Sequence, residues 1–248
     1  MQRILITGAS GLIGRAATQE LADRYALRAL NRRSLSEIDC YCADIADLEA
    51  IQPAFERIDT VVHLAAHIGN DRQAIQRANI QGTTNVFEAS LRAGVRRMIF
   101  ASSGAVTSGY AQLSPYRELL AGHYDEIPAS WPMLTHESPL HPSGLYAASK
   151  VWGEELGRVC ADEHPLSVLC LRFGRVNSEN RPTQSREYCV WCSQRDAVQM
   201  IEKCIEAPPD LHFDTFFVNS DNHWGYRDLE HAHRQVGFVP EDRAEDFR

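Results

Sequence analysis

The chain has 248 residues, 44% of them hydrophobic, 23% charged and 8% aromatic, values of a globular protein large enough to bury a substantial core. Its formal net charge of −8 argues against nucleic acid or an anionic membrane as the main partner. No apolar run reaches the length of a membrane span, and the run Ile4-Leu5-Ile6 meets a glycine too soon to be a secretory leader, so a cytoplasmic protein is expected.

Taken in chain order, short apolar strands alternate with amphipathic helices. Strands are predicted at 3–7, 26–30, 39–42, 59–64, 96–101 and 166–173, and helices at 12–24, 47–56, 72–92, 144–163 and 194–206. That alternation predicts an α/β protein with a parallel sheet covered on both faces, which right-handed crossovers make doubly wound. Residues 104–143 break the pattern and are long enough for a functional loop or lid. Beyond 174 the pattern weakens again, with a strand predicted at 212–218 and a helix at 226–236. The expected division is a dinucleotide-binding domain over 1–174, with 104–143 as an active-site insertion, and a small substrate-binding lobe over 175–248.

The 7 cysteines are Cys40, Cys42, Cys160, Cys170, Cys189, Cys192 and Cys204. An odd number in a chain of this size does not suggest a disulfide framework. Cys40/Cys42 and Cys189/Cys192 are read as core or loop thiols rather than zinc ligands, and no metal site is expected.

Gly8-Ala9-Ser10-Gly11-Leu12-Ile13-Gly14 leaves a strand and opens a helix. Gly8 suits the tight turn, Gly11 a close backbone approach to a pyrophosphate, and Gly14 close packing of helix on strand. The helix N-terminus then presents free N–H groups to phosphate, so a Rossmann-type dinucleotide site is expected, with Ser10, Leu12 and Ile13 around it. Asn31-Arg32-Arg33 ends the second strand. An acidic residue there would bind the 2′-hydroxyl of NAD; two arginines instead favour NADP slightly over NAD. Asp44-Ile45 follows the third strand, where the Asp either accepts from the adenine amino group or caps the next helix. His63-Leu64-Ala65-Ala66 ends the fourth strand. Its small residues allow the cofactor to pass, and His63 is read as a packed strand-end residue.

Tyr146 and Lys150 are spaced i, i+4 on one helix face. A lysine cation near a phenol favours the phenolate, and a tyrosine so tuned exchanges protons with an alcohol or carbonyl oxygen. Ala101, Ser102 and Ser103 end the strand before the insertion, where a doubly wound fold gathers its ligands.

Together, Gly8/Gly11/Gly14, Asp44, His63-Leu64-Ala65-Ala66, Asn79, Ser102-Ser103 and Tyr146/Lys150 resemble an extended short-chain dehydrogenase/reductase of the NAD-dependent epimerase/dehydratase group, over roughly the first 175 residues. The resemblance implies a catalytic triad of Ser103, Tyr146 and Lys150, with Ser102 as the neighbouring alternative, and cofactor contacts that extend to Asn79 and Phe173. Asn79 also has a plainer role, holding its helix against the strand. The short tail makes a large nucleotide-sugar pocket hard to house. The nearest similarity is to uronate dehydrogenases, which implies Arg186 as the carboxylate-binding residue, with Gly104 and Arg175 on the substrate side. Gly104-Ala105 stands where those enzymes carry Asn-His, and Arg175 stands where a small serine is usual. The function implied is NAD(P)-dependent oxidation of a small sugar or sugar acid by a homodimer assembled through helices 72–92 and 144–163. Two alternatives stay open: an epimerase or dehydratase with tightly held cofactor, and a non-catalytic dinucleotide-binding regulator.

Overall fold

The computed structural model describes all 248 residues. The first half of the sheet is built from β1 (Arg3–Thr7), β2 (Ala26–Asn31), β3 (Asp39–Cys42) and β4 (Thr60–His63), interleaved with α1 (Leu12–Leu21) and the short α2 (Leu48–Ile51). Next come α3 (Arg72–Ile75) and α4 (Thr83–Arg92), joined by a wide π turn over Gln76–Gly82. The second half holds β5 (Arg97–Ser103), α5 (Tyr116–Ala121), α6 (Leu145–Glu163), β6 (Ser167–Phe173), α7 (Glu187–Val190), α8 (Gln194–Ile205), β7 (Phe213–Val218) and α9 (Glu230–Val236). All seven strands are parallel, in the order β3-β2-β1-β4-β5-β6-β7. The order reverses between β1 and β4, so their carboxyl ends open the crevice where such sheets bind ligands.

The period-two alternation of the strands sorts their side chains into two cores. Ile4 and Ile6 face one layer, with Ala17 and Leu21 of α1 and Met200 and Ile201 of α8. Leu5 faces the other, with Val86 and Phe87 of α4 and Cys160 of α6. Cys160, Cys170, Cys189, Cys192 and Cys204 are buried, and Cys40 and Cys42 lie on the edge strand β3.

The division expected at residue 174 does not separate two cores. β7 pairs with β6, and α8 packs into the same layer as α1. Local periodicity does not show which sheet a strand joins, so the weakening pattern beyond 174 does not mark a separate core. What stands apart from the sheet is a smaller cluster, in which Tyr116, Leu119 and Leu134 of the insertion meet Cys189, Val190, Phe217 and Tyr226. The insertion is ordered by this contact. It carries two short 3-10 turns over Gly104–Gln112, joined at a kink at Thr107 and followed by α5, and Leu134 forms a β-bridge with Arg227. Trp131 Nε1 donates to Gly225 O, and the Tyr124 and Trp224 rings stack 3.9 Å apart.

Candidate active site

The cradle at the β1–α1 turn is made of backbone. Gly8 has φ +69, and a Cβ on it would lie 2.8 Å from Ala65 Cα. A Cβ on Gly14 would lie 2.4 Å from Gly8 O. Both positions require glycine for contacts within the protein. Gly11 differs: a Cβ there would meet only Gly8 O, at 3.2 Å, so its bare backbone leaves the outer side open. Gly11 begins α1 with no side-chain cap and no acidic residue in the first turn. Asp47, Asp71 and Ser193 cap α2, α3 and α8, whereas the N-cap residues of α6 and α9, like that of α1, give no side-chain bond. An uncapped helix end beside an open glycine fits a pyrophosphate. Half-buried Leu64, Ala65 and Ala66 follow β4 alongside it.

Around this cradle, Ser10 Oγ donates to Asn31 Oδ1 at 2.9 Å, and Asn31 Nδ2 donates to Arg33 O at 2.8 Å. Asn31 thus braces its own turn, while Arg32 and Arg33 are exposed. Asp44 accepts from Ala46 N at 2.9 Å and from Arg77 Nη2 at 3.1 Å. The Ala46 N–H, with Arg77 behind it, holds the Asp44 carboxyl below the usual range despite partial burial. The cap of α2 is Asp47, not Asp44, because the helix begins at Leu48, beyond the reach of the Asp44 side chain as a cap. Ile45 is buried beneath Gly82, where a Cβ would come within 2.6 Å of it.

His63 is fully enclosed, with Nδ1 2.7 Å from Thr7 Oγ1 and Nε2 3.1 Å from Thr83 Oγ1. Burial, and secondarily the Lys150 charge, lower its pKa to about 3, so it is a neutral packing group. Asn79 Oδ1 accepts from His67 N at 2.7 Å, while Nδ2 donates to His67 O at 3.0 Å and Ser149 Oγ at 2.9 Å. Ser149 Oγ in turn donates to Tyr146 O. Asn79 therefore ties the segment after β4 to the first turn of α6. Both of its amide hydrogens are used within the protein, which leaves no donor for the cofactor contact the resemblance implied.

At the end of β5 the two serines part company, as alternation in a strand requires. Ser102 is buried and donates to Glu154 Oε1 at 2.5 Å. Glu154 also receives both Nε and Nη2 of Arg172, at 2.9 and 2.8 Å, and Arg172 Nη1 reaches His136 O at 3.2 Å. Ser102 thus belongs to a buried ion-pair network, and Ser103 alone is left at the site. Ser103 pairs across the sheet with Phe173 and accepts from Ala105 N at 3.1 Å.

Lys150 is buried and donates to Ala101 O at 2.7 Å, with Nζ 5.7 Å from the Tyr146 ring centre. Burial lowers its pKa to about 8, opposed by the carboxylate of Glu154. Tyr146 does not show the lysine-driven depression that the spacing suggested. Burial raises its phenol pKa, and the Ser103 hydroxyl is the group that counteracts this. Ser103, Tyr146 and Lys150 thus converge at the carboxyl end of β5.

Of the residues expected to face the substrate, Arg175 is engaged through Nε with Glu187 Oε1 at 3.3 Å, although 58% of its side chain is exposed. Arg186 precedes α7 and is exposed. Beside Gly104 lies a group that sequence reasoning missed. The Arg227 guanidinium sits so close that a Cβ on Gly104 would lie 2.3 Å from it. Nothing local marks Arg227, because its partners are far away in the chain.

A doubly wound sheet, an open glycine cradle and a Ser-Tyr-Lys cluster at β5 define an extended short-chain dehydrogenase/reductase. The NAD dependent epimerase/dehydratase family matches residues 4–192, and the chain belongs to it. Relatives include an NAD-dependent glucose-6-phosphate dehydrogenase of Haloferax volcanii, 31% identical over 99% of this chain and 95% of that one. An L-arabinose 1-dehydrogenase (NAD(P)(+)) from the same organism is 34% identical over 98% of each chain. A crystal structure of uronate dehydrogenase from Agrobacterium tumefaciens with NAD superposes with a TM-score of 0.85, at 30% identity over 100% of this chain and 88% of that one.

Proposed function

We propose that the protein is a dehydrogenase that uses NAD(P) to oxidise a free sugar or sugar acid at its C1 hydroxyl. The observation that carries this reading is the convergence of Ser103, Tyr146 and Lys150 at the strand end beside the phosphate cradle. When bound, the cofactor supplies a nicotinamide ring that accepts a hydride. Tyr146 takes the hydroxyl proton during oxidation and returns it during reduction. Ser103 donates a hydrogen bond to the reacting oxygen. Lys150, fixed on Ala101 O, keeps two N–H groups for the ribose hydroxyls of the cofactor. Burial raises the Tyr146 pKa, with only the Ser103 hydroxyl opposing it, so the phenol is protonated at neutral pH and the rate of oxidation rises with pH.

Cofactor contacts run along Gly8, Ser10, Gly11, Leu12 and Ile13, then Leu64–Ala66, Ala101 and Phe173. Exposed Arg32 and Arg33, with no carboxylate at the end of β2, favour NADP. The lobe built from the insertion and the tail holds the sugar, with Gly104, Arg175 and Arg186 facing it. The relatives' names support a sugar substrate. No helix is long and apolar enough to cross a membrane, and the unpaired thiols suit the cytoplasm. Exposed Leu145, Trp152 and Val159 share a stripe along α6, which suits a homodimer through α4 and α6. Sedimentation at micromolar concentration tests that assembly, and a monomer rules it out.

The deciding experiment is a panel of aldoses, uronates and sugar phosphates, each with NAD and with NADP, followed by nicotinamide absorbance. Turnover of one group with a lower KM for NADP is expected. Tightly retained cofactor with no net absorbance change on any sugar refutes the dehydrogenase reading.

A further inference from the structure

Three arginines of the chain are nine-tenths buried or more: Arg97, Arg172 and Arg227. Two of them are fully served by the protein. Arg97 donates to Ser167 Oγ and to the carbonyls of Cys204, Ile205, Ala207 and Pro208. Arg172 grips Glu154 with two nitrogens and His136 O with the third. Arg227 is different. Its Nη2 donates to Gly104 O at 3.1 Å and its Nη1 reaches Asn219 Oδ1 at 3.5 Å, while Nε is buried with no partner. Neither it nor Arg97 has a carboxylate partner, but Arg97 is met at all three nitrogens while Arg227 Nε is left unmet. A guanidinium has five N–H donors, and an enclosed cation without an anion carries a desolvation cost that one counter-charge would relieve.

Its seat is specific. The Phe217 and Tyr226 rings lie 5.6 and 5.5 Å from Arg227 Cζ, and the bridge between Leu134 and Arg227 pins its backbone to the insertion. The guanidinium fills the space that any side chain at position 104 would need. Gly104 directly follows Ser103, so this cation stands one residue from the reacting group.

We propose that Arg227 is the anion-binding residue of the substrate site. It takes two oxygens of a carboxylate or phosphate carried by the sugar. This deepens the dehydrogenase reading and rests on it for the identity of the ligand. Gly104 then has a positive purpose: the missing side chain admits an arginine from a distant part of the chain. A planar fork suits both anions, each by paired N–H···O bonds.

The test compares kcat/KM for glucose 6-phosphate, glucuronate and glucose in three forms of the protein: wild type, Arg227→Met and Gly104→Ala. Gly104→Ala keeps the charge but displaces the guanidinium, and it covers the case in which Arg227→Met does not fold. The expected result is that the ratio of the preferred anionic sugar to glucose falls about tenfold or more in either variant, through KM rather than kcat. The anion with the larger fall names the source. A ratio unchanged in a folded variant, or equal losses on all three sugars, overturns the proposal and leaves Arg227 a packing residue. A second readout does not need turnover. Inorganic phosphate or glucuronate should raise the melting temperature of the cofactor-loaded wild type, and raise that of Arg227→Met much less. If no sugar turns over but this difference persists, the dehydrogenase reading fails while the anion site stands. Equal stabilisation of both proteins, or none, overturns the site.

Discussion

The cofactor half and the substrate half of this molecule are built on different principles. The cradle at β1–α1 is a matter of backbone: glycines set by a positive φ or a close approach, and a helix end left without a cap. Its glycines and the helix end lie within a few residues of one another, with Ala65 the one distant contact. The substrate side is assembled from residues 94 to 123 positions apart in the chain, with Gly104 against Arg227 and Trp131 against Gly225. The first kind of site tolerates little variation because its geometry comes from the fold itself. The second can change chemistry by exchanging one side chain, as the Gly104–Arg227 pair suggests.

The sharpest way to separate the halves is Tyr146→Phe. Turnover should fall by roughly 10²–10⁴-fold, with cofactor affinity, measured by nucleotide fluorescence, preserved. Joint loss of both would mean that the halves are not independent. Next in size is Glu154→Ala, which removes the carboxylate joining Ser102, Arg172 and, through His136, the insertion. Breaking such a buried pair costs about 3–5 kcal/mol, read as a shift in the urea midpoint, and faster hydrogen exchange near residue 136 would show that the insertion loosens too. If stability holds, the network does not link the halves.

Replacing both Arg32 and Arg33 with Ala should raise KM for NADP by about tenfold, or about 1.4 kcal/mol, with little change for NAD. An equal effect on both cofactors would remove the NADP preference. The smallest expected effect concerns pH. Burial brings Lys150 down to about 8 from an ordinary 10.5. Between these values the unfolded chain keeps a proton that the folded protein has released, so folding stability gains as pH rises through that window. Below about 8 the cost of enclosing the ammonium is fully present. Against Lys150→Met, wild type should therefore gain about 1 kcal/mol between pH 7 and about 8.8 without added cofactor. A flat difference would mean that Glu154 and Ala101 O already compensate the charge.

Much of the sheet was legible because strand and helix periods are local properties. The strands at 3–7, 39–42 and 213–218 lie within a residue of their expected positions. The dinucleotide turn was equally plain, since its glycines follow one another. The role of Ser102 was not, and of Asn79 only the plainer bracing role could be read, without its partners. Which neighbours the two side chains meet depends on strands and helices that converge from elsewhere.

What the sequence determined by itself was the alternating architecture, the glycine cradle and the placing of Tyr146 above Lys150, because each follows from spacing along a single element. Only the tertiary structure decided that β7 and α8 complete the main core, that Ser103 rather than Ser102 stands at the site, and that Arg227 is enclosed beside Gly104. These outcomes depend on contacts between residues far apart in the chain, and such contacts exist only once the chain has packed.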